Sequence, residues 1–172
     1  TDDDTDTVLN RLSKMLTCDE KSVCKKVEKY SEEYENAKKQ LKQAVEVVVD
    51  DNVKALLKSA EKIKGWNAIF KSYENVDIKL INNLAKKLSS ADKDAAIFIL
   101  TSNEKGFNLV SIRGDMSDDK KPIDMGAIMK ELLEKFNAKG GGKDSNASGF
   151  IPKSAGKASD ILKTWKTLFT GK

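Results

Sequence analysis

The sequence predicts an α+β fold, in which an N-terminal helical, coiled-coil subdomain precedes a small mixed-sheet globular subdomain with flanking helices. Residues 7–64 contain neither Pro nor Gly and repeat their apolar residues at helical spacing. Residues 66–172 instead alternate between short apolar runs and amphipathic stretches, a pattern typical of a fold that mixes strands and helices. We therefore expect a helical subdomain at residues 1–64 and a globular subdomain at residues 65–172.

The helical subdomain is expected to contain a short helix followed by a long one. The short helix has one apolar stripe, formed by Val8, Leu9, Leu12, Met15 and Leu16. Asp19 is expected to cap the long helix, because an aspartate oxygen can accept hydrogen bonds from the free N–H groups of a first turn. Gly65 is expected to end this helix, since glycine readily adopts the backbone conformation that follows a last helical turn.

The long helix carries a coiled-coil seam. Apolar residues alternate at spacings of four and three along Val23, Val27, Tyr30, Tyr34, Ala37, Leu41, Ala44 and Val48. Such a seam can be buried against another helix of the same chain or against a second chain. Tyr30 and Tyr34 fit a two-stranded coil poorly, so the pattern favours a helical hairpin within one chain.

The globular subdomain is expected to alternate strands and helices. Strands are expected at 66–72, 95–100 and 107–113, with a hairpin connection at 101–106 and a surface loop at 118–122. The run at 95–100 is continuously apolar, which is typical of a strand covered on both faces. Helices are expected from Asp77 to Leu88, after a capping Asp124, and near residues 157–169, where Trp165 and Phe169 belong to the core rather than to a base-stacking surface.

The composition excludes several classes of catalytic site. The chain has no histidine, so catalysis by Ser-His-Asp or Cys-His groups and zinc sites that contain histidine are excluded. Cys18 and Cys24 are too far apart for a disulfide if their segment is helical, and two reduced cysteines suggest a cytoplasmic protein. No apolar run approaches the roughly 20 residues that span a membrane, so we expect no membrane partner.

The positive charge of the chain is concentrated toward its C-terminus. Residues 1–119 hold 20 Lys and Arg against 22 Asp and Glu, whereas residues 120–172 hold 11 Lys against 5 Asp and Glu. A basic C-terminal third can attract a polyanion, although a lysine-rich surface that contacts only solvent is an equal alternative. The candidate contact residues are Lys139, Lys143, Lys153, Lys157, Lys163 and Lys166.

Three consecutive glycines stand out between Lys139 and Pro152. They do not match a phosphate-binding loop, because Asn137 stands at the first glycine position of that motif and Asp144 follows Lys143. They do not match a dinucleotide-binding motif either, because a helix rather than a strand is expected before them. We expect a close-packed turn that ends one helix and starts a short strand.

The glycine-rich element and the order of elements around it indicate a family. The stretch from Gly140 to Gly149, with Lys143 and Ala147 in register, resembles the C-terminal domain of alanyl-tRNA synthetase, built on the glycine-rich DHH-associated fold. The resemblance covers essentially the whole chain, including the N-terminal helices. The chain departs from the family pattern at Asp144-Ser145, Ser148 and Phe150-Ile151. The motif residues expected to be structural or to form an interface are Gly140, Gly141, Gly142, Ala147 and Gly149.

The resemblance implies a function without catalysis in this chain. In that family the C-terminal domain holds tRNA, dimerises the enzyme in many members, and links its catalytic and editing modules. It implies that this chain needs no cofactor, while ATP, magnesium and zinc serve other parts of a parent enzyme that attaches alanine to tRNA and edits mischarged tRNA. The alternatives are the C-terminal domain of a free-standing editing protein or of a DHH phosphoesterase, or a module for dimerisation alone.

Overall fold

A computed structural model describes residues 2–115 and 123–171 of the chain. The chain divides into two compact units, residues 1–48 and residues 49–172, which are described separately below. The predicted loop at 118–122 lies outside the described residues, and the predicted division into subdomains after residue 64 stays a prediction.

The first unit is helical. Helix α1 spans Asp2–Leu16, and a short 3-10 turn spans Glu20–Ser22. Helix α2 spans Val23–Ser59, so its residues from 49 onward belong to the second unit. The backbone N–H of Ser22 donates a hydrogen bond of 2.8 Å to Oδ1 of Asp19, so Asp19 caps the 3-10 turn immediately before α2. The expected order of a short helix, an aspartate cap and a long helix is therefore confirmed.

The coiled-coil seam on α2 is exposed. Val23 is buried, but Val27, Tyr30, Tyr34 and Leu41 are 48%, 46%, 66% and 65% exposed, and Ala37 is exposed as well. The interpretation of the seam as half of a hairpin within one chain is therefore wrong. Helix α1 is much shorter than α2, so it cannot cover a stripe that continues through Val48.

The second unit is a six-stranded mixed sheet with helices on both faces. Its strands are β1 (Glu61–Ile63), β2 (Trp66–Glu74), β3 (Ala95–Ser102), β4 (Gly106–Arg113), β5 (Lys139–Gly142) and β6 (Asn146–Pro152), in the spatial order β1-β2-β3-β4-β6-β5. Strands β2 and β3 are parallel, and every other neighbouring pair is antiparallel. Its helices are α3 (Ile78–Ala91), α4 (Met125–Lys135) and α5 (Ala158–Thr170). The predicted α+β class with a mixed sheet is confirmed.

The two faces of the sheet are covered differently. Helix α4 packs against β5 and β6, and α5 packs against β2 and β3, on one face, which we call the α4/α5 face. Here the Phe98 ring stacks on Phe70 at 4.5 Å and meets the edge of Trp165 at 5.3 Å, which confirms Trp165 as a core residue. Helix α3 covers β3 and β4 on the opposite face, which we call the α3 face.

Two aspartates cap helices of the second unit: Asp124, which was predicted as a cap, and Asp77, which was predicted as the first residue of its helix. The carboxylate of Asp77 accepts a hydrogen bond of 2.7 Å from the Lys79 N–H, and that of Asp124 accepts one of 2.9 Å from the Ala127 N–H. Both aspartates directly precede their helices, as an N-cap requires. The all-buried strand β3 also confirms the expectation from its continuous apolar run.

The prediction that Gly65 ends a helix reaching residue 64 is wrong. Helix α2 ends at Ser59, and Glu61–Ile63 form β1, which pairs with the start of β2. Lys64 and Gly65 have φ of 52° and 81°, and two successive residues with positive φ form the tight turn preferred in two-residue hairpins. Gly65 therefore lies in the turn of the β1–β2 hairpin and does not cap a helix.

The three glycines form a strand rather than the end of a helix. Asn137, with φ of 52°, ends α4 instead, because the N–H of Ala138 reaches back to the carbonyl of Leu133 at 2.8 Å and the N–H of Asn137 reaches that of Glu134 at 3.2 Å. The turn of the glycine stretch lies at 143–145, between β5 and β6. The observed order is the end of α4, strand β5, a turn and strand β6. The sequence predicted only a helix end, a turn and one short strand.

Candidate nucleic-acid interface

The glycines of the β5–β6 hairpin allow α4 to approach the bare backbone. Gly140 and Gly149 pair directly in register. A Cβ added at either position would lie 2.6 Å from Cδ1 of Leu133, which projects from α4. Ala147 is buried on the same face. These positions therefore require small residues because a side chain of the neighbouring helix already fills the space.

The turn of this hairpin occupies the N-terminus of α4. The N–H groups of Met125 and Gly126 each donate a 2.9 Å hydrogen bond, to the carbonyls of Asp144 and Lys143 respectively. The next N–H, from Ala127, is bound by the Asp124 side chain. Because main-chain oxygens and a capping carboxylate satisfy these donors, the glycine-rich element serves as a cap for α4 and not as a cradle for phosphate.

Arg113 holds the same turn from the side of the sheet. Its Nη2 donates to Oδ2 of Asp144 at 2.9 Å, and its Nε lies 3.1 Å from the carbonyl of Ile123 and 3.3 Å from that of Asp144. The Arg113 side chain is only 11% exposed, whereas that of Asp144 is 63% exposed. The guanidinium therefore acts mainly as a structural clamp and is not available to a ligand.

The six lysines predicted to contact a polyanion do not form one patch. Lys139 lies in edge strand β5 and Lys143 in the turn that follows it, and both are exposed. Lys157 precedes α5, and Lys163 is exposed along that helix. Helix α5 packs on the α4/α5 face, while the side chain of Lys139 follows the alternation of β5 onto the α3 face.

Two of these lysines already have partners inside the chain. Nζ of Lys166 lies 2.7 Å from Oε2 of Glu61 and 5.8 Å from the centroid of the Phe70 ring. Nζ of Lys153 lies 4.9 Å from the centroid of the Phe107 ring. A ligand phosphate would have to compete with Glu61 for Lys166, so this lysine is a weaker candidate than Lys139 or Lys143.

Sequence reasoning missed a second group of lysines on the α3 face. Lys54, at the C-terminal end of α2, lines an open groove of about 580 Å³ together with Lys86 and Lys87 of α3, and we call it the lysine groove. Asp50 is the acidic residue of this groove, and its Oδ1 is 2.7 Å from Nζ of Lys87. The sequence did contain a signal for this basic surface, because residues 78–91 hold three lysines and no carboxylate.

The described residues offer no group suited to metal chemistry. Across 2–115 and 123–171, no three His, Cys, Asp or Glu side chains come together as a set of metal ligands. The cysteines Cys18 and Cys24 are both free thiols. No helix in the described part of the chain has both the length and the apolar character needed to cross a bilayer.

Comparison with known proteins identifies the family and the fold. The DHHA1 domain family matches residues 65–171. A solved structure, the C-Ala domain of alanyl-tRNA synthetase from Aquifex aeolicus, superposes with a TM-score of 0.55 at 22% identity, covering 65% of this chain and 98% of that chain. This likeness confirms the α+β fold.

Similarity in sequence extends beyond the globular part. The chain is 26% identical over 146 residues to the alanine–tRNA ligase of Methanococcoides burtonii, covering 85% of this chain and 16% of the ligase. It is 25% identical over 166 residues to the alanine–tRNA ligase of Rickettsia felis, covering 96% of this chain and 19% of the ligase. The chain thus spans less than a fifth of the length of these relatives. Because the family match covers more than half of its residues, this protein belongs to the DHHA1 domain family.

Proposed function

We propose that this chain is the non-catalytic, tRNA-binding C-terminal domain of an alanyl-tRNA synthetase. The observation that carries the proposal is the similarity to alanine–tRNA ligases over 96% of this chain but only 19% of the ligase. A match of that extent includes most of the helical residues before 65, which favours a synthetase over a free-standing editing protein or a phosphoesterase. Catalytic and editing modules, with their ATP, magnesium and zinc, belong to the rest of the proposed parent enzyme.

The charge of the surface supports tRNA as the partner. Exposed lysines occur on both faces of the sheet and at its β5 edge, and residues 120–172 hold 11 Lys against 5 Asp and Glu. Lysines bind phosphates as point charges, so the domain would recognise the shape of a folded RNA more than its base sequence. The free thiols of Cys18 and Cys24 suit a reducing compartment, and we place the parent enzyme in the cytoplasm.

The proposal is tested by titrating fluorescently labelled tRNA specific for alanine with the full chain at several salt concentrations. We expect binding whose log affinity falls linearly with log salt, with a slope of about −0.7 to −0.9 for each phosphate contact. Heparin and a DNA duplex serve as generic polyanions. Equal affinity for tRNA and for these polyanions, at matched charge and salt, would overturn the proposal.

We also propose that α2 pairs with α2 of a second copy. The exposed seam carries this second function, because Val27, Tyr30, Tyr34 and Leu41 present a continuous apolar stripe at heptad spacing. Burying this stripe between two chains would stabilise the dimer by roughly 25 cal/mol for each Å² of apolar surface removed from water. The two functions are compatible, since the seam and the lysine groove use different residues.

Sedimentation equilibrium tests this pairing at tens of micromolar protein. We expect a dimer for the native chain and a monomer for Leu41→Glu, because a carboxylate in the seam would have to be buried. Asn36→Glu is the matched control, as residue 36 lies on the opposite side of the helix and is also exposed. A monomeric native chain, or equal dissociation by both substitutions, would count against the proposal.

A further inference from the structure

Among residues 2–115 and 123–171, no helix covers one strip of the sheet. Helix α4 covers β5 and β6 only on the α4/α5 face, and α3 covers β3 and β4 on the other face. The strip on the α3 face of β5 and β6 therefore remains open, and we call it the open strip. It consists of Lys139, Gly141, Asn146, Ser148 and Phe150.

A groove separates the open strip from α3. Its volume is about 420 Å³, and Asn82 and Lys86 of α3 face Gly141, Asn146 and Ser148 across it. A Cβ built at Gly141 would meet nothing within 4 Å, so the floor of the groove is bare backbone beside open space. Two carboxamides, a hydroxyl and an ammonium group surround it, which supplies both donors and acceptors for the edge of a nucleobase.

An aromatic ring lies on the open strip beyond the groove. Phe150 is not one of the residues that line the groove, and its ring reaches over Gly106 of β4. Phe150 is 39% exposed. It is two residues beyond Ser148 on the same face of β6, a separation of about 7 Å along a strand. Because solvent exposure of a large aromatic side chain is unfavourable, and every base has a flat face, the ring can serve as a stacking surface for a base.

Lys86 connects this groove to the lysine groove described above. It lines both grooves, so positive charge from Lys54, Lys86 and Lys87 lies beside the polar groove. Asp50 is already within 2.7 Å of Lys87, which leaves Lys54 and Lys86 as the cations of these grooves that have no carboxylate partner among the described residues. A phosphodiester backbone matches such a charge pattern, whereas an acidic peptide would not use the aromatic ring and the carboxamides together.

We propose that the α3 face is where the domain contacts RNA. Lys54 and Lys86 bind backbone phosphates, one unpaired nucleotide enters the groove, and the base of a neighbouring nucleotide stacks on Phe150. This inference rests on the proposed tRNA-binding function and adds to it a location, two phosphate contacts and a stacking residue. It also implies that Lys163, on the opposite side of the sheet, makes no contact with the RNA.

The lysine contacts are tested in the full chain by fluorescence anisotropy with labelled tRNA. We expect Lys54→Gln and Lys86→Gln each to weaken binding by about fivefold or more and to reduce the slope of log affinity against log salt by about one. The matched control is Lys163→Gln, which removes an exposed lysine from α5 and should change neither quantity. Thermal unfolding of each variant verifies that the fold is retained.

The stacking contact is tested with two ligands. Phe150→Ala should weaken binding of tRNA by about fivefold or more and leave binding of a blunt RNA duplex unchanged, because a duplex offers no free base to stack. Phe150→Trp should retain tRNA affinity. Its new indole should be quenched by tRNA, and this signal is distinct because Trp66 and Trp165 are 2% and 0% exposed.

The outcomes separate this inference from the function on which it rests. If the native chain prefers tRNA but Lys163→Gln weakens binding as much as Lys86→Gln, the location on the α3 face is wrong and the proposed function stands. If Phe150→Ala has no effect on tRNA, or an equal effect on the duplex, the stacking contact is wrong. If the native chain shows no preference for tRNA over heparin, both proposals fail together.

Discussion

Gly126 shows how closely α4 and the glycine strand approach each other. A Cβ at residue 126 would lie 2.6 Å from the carbonyl oxygen of Gly142, well inside normal contact distance. Gly126→Ala should therefore lower the free energy of unfolding by about 1–3 kcal/mol, as overpacking in a well-packed region does. Intrinsic helix propensity predicts the opposite sign, a gain of up to about 1 kcal/mol. Urea unfolding distinguishes the two, and a stabilised variant would contradict the close approach.

Tyr73 makes the stability of the second unit depend on pH. Burial raises the pKa of the Tyr73 hydroxyl, and among the described residues no hydrogen-bond partner reaches its oxygen. A raised pKa in the folded state means that this contribution to stability is complete below the unfolded pKa of about 10 and is lost as the pH rises above it. Tyr73→Phe should thus lose less stability than the native chain between pH 9 and 11, roughly the range around that pKa.

Tyr34→Phe is the control for this pH dependence, because it removes the same hydroxyl from a tyrosine that is 66% exposed. Thermal unfolding across the pH series measures the difference between each variant and the native chain. An identical pH dependence for Tyr73→Phe and the native chain would refute the contribution of Tyr73.

At the scale of elements, the β5–β6 turn depends on one arginine. Arg113→Ala removes hydrogen bonds to the carbonyls of Ile123 and Asp144 and the ion pair to the Asp144 carboxylate. We expect a loss of about 1.5–3 kcal/mol in the free energy of unfolding and faster amide exchange at residues 143–146. Hydrogen exchange read by mass spectrometry, together with urea unfolding, tests both expectations.

Asp144→Asn is the comparison for this substitution. The Asp144 side chain is 63% exposed, so its ion pair should contribute no more than about 1 kcal/mol, and its backbone carbonyl remains in place. We therefore expect a clearly smaller effect than for Arg113→Ala. Equal effects would show that the exposed ion pair, rather than the hydrogen bonds from Arg113 to the two carbonyls, holds the turn.

The elements that the sequence indicated correctly are those defined by local signals. Asp77 and Asp124 mark helix starts through their own side chains, and the run from Ala95 marks a buried strand through its composition alone. The missed elements depend on pairing with distant residues. Glu61–Ile63 become a strand because they pair with β2, and Lys139–Gly142 because they pair with β6. Glu61–Ile63 has one β-branched residue, Ile63, and Lys139–Gly142 has none, so the composition of neither segment predicts a strand without its partner.

At the scale of the whole molecule, the sequence predicted positive charge but not its distribution. Lys139 and Lys163 are both basic and exposed, yet they belong to opposite faces of the sheet. The alternation of side chains along β5 directs Lys139 to the α3 face, whereas Lys163 lies on α5, which packs on the α4/α5 face. Lys54 and Lys86 belong to residues 1–119, which as a whole hold 20 Lys and Arg against 22 Asp and Glu and so do not indicate a basic surface. Only the packing of α3 beside the end of α2 brings them into one groove.

The distribution of buried residues predicts that the second unit folds without the first. Nearly all buried apolar side chains lie at residue 49 or beyond, and Val23 is the buried apolar residue found in the first unit among those described. A chain of residues 49–172 should therefore retain the cooperative thermal transition of the full chain, within a few degrees, when followed by tryptophan fluorescence. Trp66 and Trp165 both report on this unit. The truncated chain should also keep its tRNA affinity and lose self-association in sedimentation, because the lysine groove lies beyond residue 48 and most of the seam before it. Loss of the cooperative transition would show that residues 1–48 contribute to the core after all.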